Sequence, residues 1–191
     1  DVKPNHAKAK LKLFQEKFKA FNVKTKSKST TKPKYKITKS KFDPQVQLIE
    51  LKKGLSLLYR QNTLNPTFVL QAYIKGGITR ETPKTNGHYH LLSQLLTQGF
   101  KSYPYEKLKK NLEDHSASLH GFSGKNAYGL SMHGLSQDFS TLTDLFCGSL
   151  LAPTMQSKFL KHEKELAKRA LENQTEDPIK KCFHQVAKLF F

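Results

Sequence analysis

The spacing of apolar residues changes along this chain, and each change marks an element. Ala7, Leu11, Phe14, Phe18 and Phe21 recur at intervals of four and three, which places them on one side of a helix whose other faces are lysine-rich. From Asn22 to Lys41 that pattern stops. Lysine, threonine and serine surround Pro33, the composition of an extended or mobile linker. Alternation then takes over: Val46 to Leu51 and Leu55 to Gln61 read as a hairpin turning at Lys52 to Gly54, and Thr67 to Lys75 as a third strand. Helical spacing returns at Gly87 to Thr97 and Tyr105 to Glu113. A strand pair follows, Ser118 to Phe122 and Ala127 to His133, joined through Gly124-Lys125-Asn126. Phe139, Leu142, Leu145, Phe146 and Leu150 form one stripe of a helix at Asp138 to Leu150. Helices at Gln156 to Thr175 and Pro178 to Phe191 complete the series, the second opening on a proline that a first helical turn tolerates. Hairpins followed by helices predict an α+β domain, an antiparallel or mixed sheet with helices packed on one face.

Charge divides the chain in two. The formal net charge is +18, yet residues 1–42 hold 14 lysines against only Asp1 and Glu16, so most of the basicity belongs to an appendage. Residues 1–42 therefore read as a lysine-rich amphipathic helix and linker, and residues 43–191 as one folded unit with a single core. The appendage has two readings: an interdomain connector whose stripe packs on another domain, or a segment that contacts an anionic membrane or nucleic acid. It contains no arginine, which weakens the nucleic-acid form. There is no apolar run long enough for a transmembrane helix and no signal-peptide pattern. Cys147 and Cys182 fall in expected helices and decide neither pairing nor compartment. The chain starts without methionine and stops on Leu189-Phe190-Phe191, an apolar run seldom left exposed. It is expected to be part of a larger protein with several related domains, the folded unit being cut short at its C-terminal end.

The candidate chemistry lies at Gly87 to Gly99. Catalytic zinc requires three protein ligands, an open position for water and a carboxylate that takes the water's proton. The inverted zinc motif His-x-x-Glu-His meets part of this need with two histidines one helical turn apart and a glutamate beside the second. Here His90 holds the first position, but Ser93 stands for the glutamate and Gln94 for the second histidine. A serine hydroxyl does not ionise near neutral pH, and an amide oxygen is a poor zinc ligand. His88 cannot replace the lost imidazole, because residues two apart point to different sides of a helix.

The motif region, with its surroundings, resembles the insulinase, pitrilysin and mitochondrial-processing-peptidase family of zinc endopeptidases. Val46 to Tyr59 is similar to that family's opening hairpin, and Thr67 to Gly77 to its second strand and Gly-Gly exit. Ala117 to Ser123 occupies the place of a substrate-pairing Asn-Ala strand, with His120 and Gly121 in place of that pair. Phe159 to Pro178 resembles the helix that carries the third zinc ligand, Glu172 being the matching residue, ahead of Asp177-Pro178. The resemblance implies an α+β fold of the LuxS/MPP-like metallohydrolase type, with His90 and Glu172 as a vestigial metal set that is empty in this domain. It also implies zinc in an active partner domain and an extracytoplasmic or periplasmic setting. Each residue has a plainer reading beside it. A lone histidine on a leucine-rich helix is more often a packed or capping residue than a ligand, which is the plainer reading of His90, and that of Glu172 is a helix carboxylate near Lys168 and Arg169.

The first function expected is that of a non-catalytic domain of a zinc metalloendopeptidase. It would help enclose or present a peptide or protein substrate for a related peptidase domain of the same protein or a homologous subunit. His120, Gly121 and Phe122 are the expected peptide-binding positions, at a strand edge that backbone groups of a peptide extend. The same strand reads alternatively as merely packed within its sheet. The second function is a binding or scaffold module of the same fold with no role in proteolysis, its basic tail on an anionic partner. The third is an active metallopeptidase with an unusual ligand set.

Overall fold

The structure, a computed structural model, describes residues 36–52, 54–176, 179, 181–183 and 185–186. It opens with β1 (Lys36–Lys39), β2 (Val46–Lys52) and β3 (Leu55–Arg60), an antiparallel sheet in the order β1-β2-β3. Ile49 of β2 is fully buried, with Ile37 and Leu57 opposite it on the flanking strands. After β4 (Thr67–Lys75) come α1 (His88–Leu95), a short hairpin of β5 (Gly99–Phe100) with β6 (Tyr103–Pro104), and α2 (Tyr105–Asp114). The pair β7 (Ser118–Ser123) and β8 (Ala127–Leu135) and two helices, α3 (Phe139–Leu151) and α4 (Ser157–Glu176), follow.

A second sheet, antiparallel throughout in the order β4-β8-β7, forms the platform of the domain. Burial along β4 alternates residue by residue, so Phe68, Leu70 and Ala72 turn toward the helices and meet a cluster built on Leu130 and Met132 of β8. Leu142, Leu145, Phe146 and Cys147 of α3, Leu108 of α2, and Leu96 and Phe100 close this core. Burial of side chains of this size contributes about 1.5–3 kcal/mol each. That explains why α3 carries the stripe the sequence announces: it is the helix that seals the middle strand.

The opposite face of the sheet carries the other parity. Val69 and Tyr73 of β4 are 54% and 67% exposed there. Tyr73 packs on Phe122 of β7 with ring centroids 5.0 Å apart. A polar ladder crosses the same face: the Tyr73 hydroxyl donates to Gln71 Oε1 at 3.0 Å, Gln71 Nε2 donates to Ser131 Oγ at 3.3 Å, and Ser131 lies 3.4 Å from His133 Nε2. His120 is paired with Ser131 across β7 and β8.

The expected α+β arrangement is present, and the expected strand at Thr67 to Lys75 has those bounds. Lys36–Lys39 differs. It lies in the stretch read as linker, yet it pairs along its length with β2, so the ordered backbone reaches further toward the amino terminus than residue 43. The β5–β6 hairpin has only two residues per strand, too few to show alternation. The stripe from Ala7 to Phe21 lies outside the described residues. So does most of Pro178 to Phe191, of which 179, 181–183 and 185–186 are helical.

Candidate functional site: the motif helix and its strand

The chain leaves β4 through Gly76 and Gly77 and is tied at once to the β7–β8 connection. Gly76 N donates to Asn126 O at 3.1 Å, Ile78 N to Gly124 O at 3.2 Å and Thr79 N to Lys125 O at 3.0 Å. Glu81 then reaches forward to the start of α1, where Oε2 accepts from Gly87 N and Oε1 from Tyr89 N, each at 2.8 Å. The first amides of a helix have no intrahelical partner and carry the positive end of its dipole, so one carboxylate satisfies two of them. The bond from Tyr89, then that from Gly87, hold the Glu81 carboxyl below its ordinary range, with His88 and His90 adding smaller charge contributions. The sequence reading missed this residue. Its signal was a lone acid shortly before a helix start, separated from α1 by more than a capping box spans.

Gly121 sets the distance between α1 and β7. A Cβ there would collide with the Ser93 carbonyl and come within 3.1 Å of Gln94 N, so helix backbone lies directly on strand backbone, as only glycine permits. The space over Gly121 is therefore taken by the domain's own helix. Ser93 is fully buried, and its Oγ donates to His90 O at 2.8 Å. Gln94 Nε2 donates to Gly121 O at 3.4 Å. At the far end of α1, Gln98 Nε2 donates to Glu163 Oε1 of α4 at 3.2 Å, so the helices carrying His90 and Glu172 are in contact.

His90 and Glu172 are both exposed. His120 is exposed and Phe122 half-buried, on the face away from α1. The donor set does not fit catalytic zinc. The hydroxyl at the glutamate position is turned into its own helix, and the amide at the second histidine position presents its nitrogen to a carbonyl. Among the described residues no group of three or more His, Cys, Asp or Glu side chains is arranged to hold a metal.

The insulinase (peptidase family M16) model matches residues 56–190. Cytochrome b-c1 complex subunit 1, mitochondrial, of Rattus norvegicus is 25% identical over 129 residues, covering 68% of this chain and 27% of that protein. The Homo sapiens protein of the same name is 25% identical over 131 residues, covering 69% and 27%. The chain thus spans about a quarter of the length of these relatives. Among solved structures, a peptidase M16 inactive domain from Pseudomonas fluorescens superposes with a TM-score of 0.58 at 17% identity, over 78% of this chain and 34% of that one; the fold is shared. The chain belongs to the insulinase family, peptidase family M16.

Proposed function

We propose that this domain supplies substrate contacts to a zinc metalloendopeptidase and leaves the chemistry to a zinc-bearing partner, either a related domain of the same protein or a homologous subunit. The observation that carries the reading is the one-sided sheet. Helices cover the Leu130–Met132 face, and the opposite face presents the Tyr73–Phe122 pair and the polar ladder ending at His133. Aromatic rings, amides and hydroxyls spread over a strand surface suit an extended peptide, whose own backbone groups extend a sheet at its edge. β7 is the terminal strand of its sheet among the described residues, and His120 and Phe122 flank Gly121 on it. With Gly121 committed to α1, the side chains of His120 and Phe122 are the peptide contacts assigned here.

Steady-state peptide hydrolysis by the complete protein with its zinc-bearing partner tests this. Tyr73→Ser with Phe122→Ser should raise KM roughly tenfold, from two aromatic contacts at about 0.5–1.5 kcal/mol each, and leave kcat unchanged. An unchanged KM in a folded variant would overturn the enclosing role.

A scaffold reading draws support from the matched relatives, which are by name subunits of the cytochrome b-c1 complex. On that reading the same face is covered by protein, with residues 1–42 on an anionic membrane or nucleic acid. Loss of assembly by the double variant, with peptide turnover unaffected, would favour it.

A further inference from the structure

At one end of the domain the β5–β6 hairpin meets the connection between α3 and α4. Lys101 N donates to Ala152 O at 3.3 Å, Thr154 N donates to Gly99 O at 3.2 Å, and Phe100 bridges to Pro153. This junction exposes two apolar side chains, Leu151 at 38% and Met155 at 41%. Met155 holds φ +43°, a left-handed conformation uncommon outside glycine, asparagine and aspartate. A long apolar side chain on a strained, exposed backbone is the kind of outlier from which function is inferred.

Aromatic rings and ammonium groups lie on the elements that meet at this junction. Lys107 Nζ stands 4.3 Å from the centre of the Tyr103 ring, which stacks on Phe100. Lys158 Nζ stands 4.7 Å from the Phe159 ring, which packs on Tyr105. Lys101, Lys107 and Lys158 are exposed, and the rings of Tyr103, Tyr105 and Phe159 are half-buried. Partly exposed aliphatic side chains, half-buried aromatics and exposed lysines on adjoining elements are what a bilayer interface takes up: aliphatic groups enter the acyl boundary, rings sit at headgroup level, and lysines meet anionic phosphates.

We propose that this junction is a docking surface for an anionic phospholipid bilayer. A membrane suits it better than a nucleic acid. Leu151 and Met155 have no use on a phosphate backbone, and the rim is lysine, a compact point charge, with no planar arginine fork for phosphate or base edges. No helix among the described residues is long and apolar enough to cross a membrane, so docking here is peripheral. The site is separate from the open sheet face.

Co-sedimentation of the full chain with phosphatidylcholine vesicles, with and without phosphatidylserine, tests the proposal. Binding is expected only with phosphatidylserine. Lys101→Gln, Lys107→Gln and Lys158→Gln together should weaken it roughly a hundredfold, about fivefold per lysine, and the matching arginine triple should retain it. Met155→Asn, which the left-handed backbone accepts, should weaken binding several-fold by an amount that salt does not change. Failure to bind anionic vesicles, or equal binding by the glutamine triple, would overturn the proposal, the latter by leaving the attraction to residues 1–42. Tighter binding to a duplex oligonucleotide, sensitive to the lysines and indifferent to Met155, would overturn it in favour of nucleic acid.

Discussion

Gly121→Ala is the sharpest test of how the motif helix is held. The added methyl group would point into α1, against the Ser93 carbonyl and within 3.1 Å of Gln94 N. All of these are backbone atoms fixed by helical hydrogen bonds, so no side chain can swing aside to relieve the contact. Overpacking in a core costs about 1–3 kcal/mol. With backbone on both sides the upper end applies, and α1 must lift from β7. A loss of about 3 kcal/mol corresponds to a Tm lower by roughly 6–12 °C for a chain of this size. Gly54→Ala is the control. Gly54 has φ +82° but nothing within 4 Å of an added Cβ, so only backbone strain of about 1 kcal/mol is added there. Thermal and urea unfolding followed by circular dichroism compare the two. If Gly121→Ala costs no more than Gly54→Ala, the contact does not set the position of α1 and the reasoning fails.

Three further outcomes follow from the same geometry. Because Glu81 has its carboxyl held below the ordinary value, its contribution is fully present above that value and is lost as pH falls through the depressed one; Glu81→Gln should flatten this part of the acid limb, and an unchanged limb in acid titrations of stability would remove Glu81 from the account. Removing residues 1–42 should cost roughly 2 kcal/mol more than removing 1–35, from the β1 ladder bonds at about 0.5–1 kcal/mol each, and equal unfolding midpoints would show that β1 adds nothing. The chain should hold no stoichiometric zinc after mild dialysis, whereas Ser93→Glu with Gln94→His should gain zinc and be stabilised by it; one tightly held zinc in the unaltered chain, lost on His90→Ala, would refute the assignment.

Strands and helices were legible where an element buries one face. The alternation at Thr67 to Lys75 and the stripe from Phe139 to Leu150 each announce a surface facing the core. Lys36–Lys39 gave no such signal, because all four residues are exposed and the strand rests on backbone pairing alone. At the site, the composition of the motif named the missing chemistry but not its consequences. Gly121 lies on a strand read either as a peptide edge or as packed within its sheet, and the backbone that meets it is Ser93 of the same domain. Sequence distance hides this contact: nothing local in Ser118 to Ser123 records that α1 lies against it. Glu81 was invisible for a similar reason, since its two bonds span six and eight residues, beyond the reach of any capping pattern.

The motif helix is held by contacts at three points. Glu81 on the amides of Gly87 and Tyr89, Gly121 under Ser93, and Gln98 on Glu163 fix the start, middle and end of α1. None of these contacts requires a metal. Ser93 is fully buried; a carboxylate confined there without a metal would face a large desolvation penalty. A serine removes that penalty, and its hydroxyl satisfies itself on His90 O one turn back. Gln94 likewise spends its amide on Gly121 O, adding a link between helix and strand that a zinc-bound imidazole would not make. Ser93 and Gln94 thus serve the packing of helix on strand, and β7 is anchored beside a sheet face that presents Tyr73 and Phe122.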